Sequence, residues 1–184
     1  MLNIKIQNHL NNMKKLTVFL LILGAFATLE STAQDSTAAD YFKKGDYYYR
    51  NGDHALAIPQ FDNCLKLDPS HVNGLLQRGI CKNITNDFSG AILDFTSVIA
   101  LEPNHRWAYL SRGSSRNKTG EYALAMDDFN KVLSFDPNDQ EAYNNRGFSK
   151  KLSGDKTGAC EDWNKSKKLG NDEAKIILKN NNCK

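Results

Sequence analysis

A 34-residue period constrains the fold of this 184-residue chain more than any other feature of its sequence. Four features recur with that spacing: a glycine, an alanine, an aromatic residue and a turn that ends in proline. The series are Gly45, Gly79, Gly113 and Gly147; Ala57, Ala91, Ala125 and Ala159; Phe61, Phe95, Phe129 and Trp163; and the turns LDP 67–69, LEP 101–103 and FDP 135–137. Because each series has its own packing role, the period predicts one structural unit that is repeated four times and stacked.

Each unit is predicted to consist of two antiparallel helices. The small glycine and alanine allow the two backbones to approach closely, and the aromatic ring fills the space beside that contact. Between the helices lie residues that tolerate positive φ, namely Gly52, Asn86, Gly120 and Gly154. Since a single unit cannot bury its apolar face alone, stacking must supply the core.

The pattern resembles the tetratricopeptide repeat family, with repeats at 38–71, 72–105, 106–139 and 140–173. Two positions depart from it: Leu75 replaces an aromatic residue in repeat two, and Asn171 replaces the proline of repeat four. The resemblance implies an all-α fold, a right-handed superhelical solenoid of four helix-turn-helix repeats within a domain at 34–184. A capping helix is predicted at 172–182, with Ala174, Ile177 and Leu178 on its buried face.

The first 33 residues differ in kind from the repeats. Met13, Lys14 and Lys15 precede an apolar run at 16–29, which is shorter than the roughly 20 residues that a membrane span needs. Small residues follow, so the segment is predicted to be an N-terminal extension and a signal peptide that is cleaved after Ala33. The mature protein is then periplasmic or secreted. An uncleaved membrane anchor is the alternative, and either Met1 or Met13 is the natural start.

The charge of the mature chain argues against nucleic acid as a partner. Without its first 33 residues the chain keeps 21 basic and 20 acidic residues, with the two signs interspersed. Binding to phosphates requires a concentrated basic stripe, which this sequence lacks.

Charged residues inside the repeats are predicted to be structural. An arginine precedes the repeat glycine and an aspartate precedes the repeat aromatic in repeats two to four, at Arg78 and Asp94, Arg112 and Asp128, and Arg146 and Asp162. Repeat one changes both, to Lys44 and Gln60. Residues that change together predict an ion pair between the two helices of a unit.

No motif of the sequence indicates catalysis. The four histidines have no metal-ligand spacing, and neither a phosphate-binding glycine loop nor a nucleophile elbow occurs. The chain is therefore predicted not to be an enzyme, and neither a cofactor nor a metal site is predicted.

The family resemblance implies that the first helices of the repeats line a concave groove that binds a partner. Carried over position by position, the resemblance predicts these groove residues: Phe42, Tyr49, Leu76, Ile80, Trp107, Leu110, Lys118, Asn144, Phe148 and Lys151, with Asp46, Arg50, Asn73, Asn83, Ile84, Ser114, Asn117, Glu141 and Leu152 at equivalent positions. The cationic residues with which some members clamp a peptide carboxylate are missing. Coverage by the chain's own residues 34–40, or packing of Trp107 between helices, remains an alternative to exposure.

The cysteines gain importance if the chain is exported, because disulfides persist in oxidising compartments. Cys160 and Cys183 lie about equally far on either side of a predicted turn at Gly170 and Asn171, which brings them to the same level of two antiparallel helices. The C-terminal sequence also resembles the last units of exported bacterial repeat proteins, which favours a disulfide between them. Cys64 and Cys81 are predicted to be buried thiols, for which a disulfide stays open.

Two functions fit these observations. The first is a protein-protein interaction module of the cell envelope or secreted fraction that binds a polypeptide segment in the groove. The alternative is a structural solenoid that associates with copies of itself.

The export prediction can be tested by intact-mass measurement of the protein as its host produces it. We expect a mature chain that begins at Gln34, because Ser31 and Ala33 place small side chains at the cleavage site. A mass that includes residues 16–33 would identify a membrane anchor instead.

Overall fold

The computed structural model describes residues 36–183, and all regular structure in that range is α-helical. The predicted extension, signal peptide and cleavage site lie outside the described residues. The helices are α1 (Ala38–Arg50), α2 (His54–Leu67), α3 (Val72–Ile84), α4 (Phe88–Leu101), α5 (Arg106–Thr119), α6 (Tyr122–Phe135), α7 (Gln140–Leu152), α8 (Lys156–Lys168) and α9 (Asp172–Asn180). Each helix packs against the next along the chain, which confirms an all-α solenoid of four helix pairs followed by a capping helix.

Close contact between a glycine and an aromatic ring sets the distance between the two helices of each repeat. A methyl group added to Gly79 would lie 2.7 Å from the ring of Phe95, and one on Gly147 would lie 2.6 Å from the ring of Trp163. Both rings are fully buried, with relative exposures of 0% and 1%. The predicted role of the glycine is thereby confirmed.

The connections between helices follow the predicted backbone conformations. Gly52, Gly120 and Gly154 have φ of 82°, 84° and 97°, and Asn86 adopts φ of 66°. The last residue of each of the first three repeats caps the helix that follows. The Nδ1 atoms of His71 and His105 accept hydrogen bonds from the N–H groups of Gly74 and Ala108, at 3.0 and 3.1 Å.

The apolar core lies between neighbouring repeats. One cluster joins residues of three successive repeats and consists of Leu65, Leu75, Ala91, Phe95, Val98 and Ala108. A second begins at Tyr109 and ends at Ala142, and so joins repeats three and four. No repeat therefore has a core of its own, as the period predicted.

The predicted ion pairs are present, and each buried aspartate binds two cations. Arg112 donates from Nη2 to Asp128 Oδ1 at 2.7 Å, and Arg116 Nη1 lies 2.7 Å from Asp128 Oδ2. Asp94 and Asp162 each bind one arginine and one lysine in the same way. All three aspartates are at most 4% exposed, so the pairs lie inside the stack.

The same arginines connect each repeat to the one before it. The second guanidinium edge of Arg78 reaches Asp62 at 2.7 Å, and that of Arg146 reaches Asn130 at 2.6 Å. Arg112 contacts Thr96 in the equivalent way, at 3.1 Å. The polar network therefore fixes both the helix pair and the stacking of pairs.

The second helix of the last repeat is followed by a glycine in the left-handed conformation. Helix α8 stops at Lys168, Gly170 has φ of 106°, and the side chain of Asn171 accepts from the N–H of Ala174 at 3.3 Å. The capping helix α9 then buries Ala174, Ile177 and Leu178 as predicted, although it ends at Asn180 and not at 182.

A disulfide joins Cys160 of α8 to Cys183, with 5.5 Å between the Cα atoms. Cys183 also packs against the cluster of Ala159, Trp163, Ile177 and Leu178 beneath the cap. Cys64 and Cys81 are fully buried free thiols. Burial raises the pKa of Cys81 to about 11, so this thiol is unreactive at neutral pH.

The ion network predicts a sharp difference between two adjacent aspartates of α6. Replacing Asp128 with alanine leaves two half-buried arginines without a carboxylate, and we expect a loss of roughly 3 kcal/mol in the free energy of unfolding. Asp127→Ala changes an exposed position and should shift stability by about 0.5 kcal/mol or less. Chemical denaturation followed by circular dichroism gives both values, and equal losses would contradict the structural role of Asp128.

The disulfide predicts that the cap depends on oxidation. Peptide mapping without reductant should recover Cys160 linked to Cys183, while Cys64 and Cys81 react with alkylating reagents only after denaturation. The double change Cys160→Ser and Cys183→Ser should destabilise the oxidised protein by about 3 kcal/mol. Free, alkylatable Cys160 and Cys183 in the exported protein would show that the pair does not form there.

Candidate functional site

The first helices of repeats two to four line two pockets that adjoin each other. The pocket between repeats two and three has a volume of about 170 Å³, and the pocket between repeats three and four about 230 Å³. Both include Ser114 and Lys118 of α5, so they form one continuous depression, here called the groove. The lining of the first is Asn83, Ile84, Phe88, Ser114, Ser115 and Lys118, and that of the second is Ser114, Asn117, Lys118, Asn145, Phe148 and Leu152.

The walls of the groove are apolar and largely open to solvent. Ile84 and Leu152 are each 51% exposed, although both are large aliphatic residues at helix ends. Phe148 is half-buried, because one edge of its ring packs against Trp163 with 5.4 Å between the ring centroids. Each pocket thus offers apolar surface that no part of residues 36–183 covers.

The polar lining supplies one cation and several amides. Lys118 has no carboxylate within ion-pair distance among the described residues. Ser115 Oγ lies 2.8 Å from Asn83 Oδ1 and fixes that amide in place. The Oδ1 atom of Asn117 is buried and accepts no hydrogen bond from the described part of the chain.

Trp107 is a separate exposed aromatic residue at the start of α5. Its side chain is 55% exposed, and the Arg106 guanidinium lies 4.5 Å from its ring centroid. Arg106 is held in turn by ion pairs with Asp139 at the end of its own repeat and with Glu141 of the next repeat. Burial raises the pKa of the Asp139 carboxyl, but hydrogen bonds from Arg106 and Ala142 outweigh it and hold that pKa below its usual range. The ring is therefore presented on a fixed support.

Two residues predicted to face the groove are instead interior. Leu110 is 3% exposed and belongs to the core between repeats three and four. Asn144 is 4% exposed; its backbone carbonyl accepts the indole N–H of Trp163 at 3.1 Å. Their shared position in the repeat turns toward the next repeat, so these two side chains offer no surface to a partner.

The remaining predicted residues lie in different surroundings. Phe42 and Tyr49 are half-buried around Phe61 and Ala57, and Leu76 and Ile80 pack at the edge of the next core cluster. Lys151 is exposed and lines another pocket of about 250 Å³ beside Cys160. Of the ten residues first predicted, Lys118 and Phe148 line the groove itself.

Three groove residues were missed by the sequence analysis. Ser115 and Asn145 lie on first helices but outside the positions that the resemblance implied. Phe88 begins a second helix, α4, and its ring reaches the groove from the loop end. An aromatic residue directly after a short interhelical loop was the signal that pointed to it.

The described residues hold no cluster of metal-binding side chains. No three histidine, cysteine or acidic side chains within 36–183 converge as metal ligands. No helix in that range is long and apolar enough to cross a membrane. The groove offers a ligand apolar walls, amide side chains and one cation.

Sequence comparison finds the same repeat that the period indicates. Residues 38–71 and 108–139 each match a model of the tetratricopeptide repeat. No curated protein matches the sequence.

Comparison with solved structures finds many similar helical repeats. The crystal structure of MamA protein is 25% identical, with 73% of each chain covered and a TM-score of 0.68. The first TPR of Spaghetti (RPAP3), solved with the HSP90 peptide SRMEEVD, is 28% identical over 65% of this chain and 97% of its own, with a TM-score of 0.60. A tetratricopeptide repeat protein from Parabacteroides merdae shares the fold at 19% identity, covering 76% of this chain and 56% of its own, with a TM-score of 0.67. The helix pairs of this chain are therefore tetratricopeptide repeats.

Proposed function

We propose that the mature protein is a non-catalytic interaction module of the cell envelope or secreted fraction, and that it binds a segment of another polypeptide in the groove. The observation that carries the proposal is the groove itself, in which apolar walls and a cation without a partner among residues 36–183 lie side by side on a rigid stack. Surfaces of this composition favour protein contacts, because they combine desolvated anchors with orienting polar groups.

A similar solved structure supports peptide binding as the mode of interaction. The first TPR of Spaghetti was solved with a bound HSP90 peptide. In this chain, however, the positions of a carboxylate clamp hold Phe42, Asp46, Gln77, Trp107 and Ser111. A partner of this protein is therefore recognised along its length and not by its terminal carboxylate.

The proposed location rests on the sequence of the first 33 residues and on the disulfide. A signal peptide delivers the repeats to an oxidising compartment, where the bond between Cys160 and Cys183 persists. The signal peptide and the disulfide both favour an oxidising compartment, and the two observations are independent because they rest on different residues.

Trp107 is expected to be a binding hot spot next to the groove. Trp107→Ala should weaken binding of the native partner by roughly 2 kcal/mol, or about 30-fold, because it removes a large exposed ring on a fixed support. The partner is captured from the native envelope with the wild-type protein, and its affinity for each variant is then measured by calorimetry.

The matched control is Leu93→Ala, which removes a side chain that is 70% exposed on α4 and lines neither pocket. It should bind the partner as tightly as the wild type does. Unchanged affinity in Trp107→Ala would remove this ring from the binding site. A self-associating structural solenoid is the competing hypothesis, and a monomer at all concentrations in light scattering would exclude it.

A further inference from the structure

An apolar wall bounds the groove on each side. Ile84 and Phe88 form the wall of one pocket, and Phe148 and Leu152 form the wall of the other. Ile84 lies on α3 and Leu152 on α7, with α5 and its Lys118 between them. The two apolar walls are therefore separated by about two helix-packing distances, roughly 16 to 20 Å.

An extended polypeptide matches this spacing. A chain in the polyproline II conformation has three residues per turn and rises about 3.1 Å per residue, so side chains six positions apart lie on one side, about 19 Å apart. Two large apolar residues with that separation would enter the two pockets together.

The charge between the two walls favours an acidic residue. Lys118 lines both pockets and lacks an ion-pair partner among residues 36–183. Of the two neighbouring first helices, α3 has no acidic residue, and Glu141 of α7 already pairs with Arg106 at 3.0 Å. A carboxylate brought by a ligand is thus the complement that the groove lacks.

Amide side chains lie along the same line. Asn117 and Asn145 line the second pocket, and the amide group both donates and accepts hydrogen bonds. An extended segment exposes unpaired backbone N–H and C=O groups, so amides at this position suit it. The Oδ1 atom of Asn117, which no described donor satisfies, is consistent with an unfilled polar site.

We propose that the groove recognises an extended acidic-apolar segment, in which two large apolar residues six positions apart flank an aspartate or glutamate that pairs with Lys118. This inference rests on the proposed function and narrows the partner to a class of sequence. It requires no free carboxyl terminus, so the segment can lie inside a longer chain.

Synthetic peptides test the proposal directly. The probe is an acetylated and amidated peptide, Ser-Gly-Leu-Ser-Gly-Glu-Ser-Gly-Leu-Gly-Ser, together with versions in which Gln or Lys replaces Glu. With the full mature protein at low salt, we expect the Glu peptide to bind about fivefold more tightly than the Gln peptide, and the Lys peptide to bind most weakly. Fluorescence anisotropy of labelled peptides gives the three affinities.

Reversal of the protein charge supplies the decisive comparison. Lys118→Glu should invert the order, so that the Lys peptide binds more tightly than the Glu peptide. Lys167→Glu is the matched control: both lysines lie in the last turn of their helices, but Lys167 is exposed on α8 and lines neither pocket. It should leave the order unchanged, and circular dichroism verifies that both variants fold.

Four results would overturn the proposal. The first is equal affinity for the Glu and Gln peptides, and the second is an order of affinities that Lys118→Glu does not invert. The third is binding of none of the peptides while the native partner is still captured through Trp107. The fourth is dissociation of a self-associated form by Lys118→Glu, which identifies a second copy as the occupant.

In the first two cases, the variant Ile84→Asp shows whether the proposed function stands. If this variant no longer binds the peptides, the groove binds peptides without a preference for an acidic residue.

Discussion

The contact between the repeat glycine and the repeat aromatic ring determines most other features of this structure. Because the ring lies where the glycine side chain would be, the two helices of a repeat are held closer than any larger residue permits. The neighbouring positions are then fixed as well. Arg78 precedes Gly79 and Asp94 precedes Phe95, so the contact that joins glycine and ring also brings guanidinium and carboxylate to hydrogen-bond distance. The ion pair is a geometric consequence of the apolar contact.

The sequence predicted the fold well because the fold is periodic. A residue such as Ala125 or Phe129 recurs in every repeat, and four copies of one signal indicate the helix pair, its loops and its stacking. The end of α9 was less accurate, since the capping helix occurs once and its last turn has no equivalent for comparison. Helix ends also fray and depend on local hydrogen bonds.

The groove was predicted in outline and not residue by residue. Its lining depends on how deeply a position lies between neighbouring repeats, which the repeat pattern does not contain. Leu76 and Leu110 occupy the same position, yet the first is half-buried and the second is buried, because the side chains of the next repeat differ. Phe88 shows the complementary error: a second helix contributes to a surface that was assigned to first helices alone.

The two ends of the stack differ in how they complete the contacts that a neighbouring repeat would otherwise make. At the C-terminal end, α9 covers Trp163, and a disulfide links the segment after α9 to α8. Phe148 contacts Trp163 and also lines the groove, so the capping helix supports one wall of the groove.

At the N-terminal end the polar network stops. An arginine in this network reaches back to the preceding repeat, as Arg78 does to Asp62, and repeat one has no repeat before it within residues 36–183. An arginine there would lack its partner on a preceding repeat, and the sequence has Lys44 and Gln60 in place of the pair. The change in repeat one therefore fits its place in the stack, because a buried charge is stable only where its hydrogen-bonding partners are present.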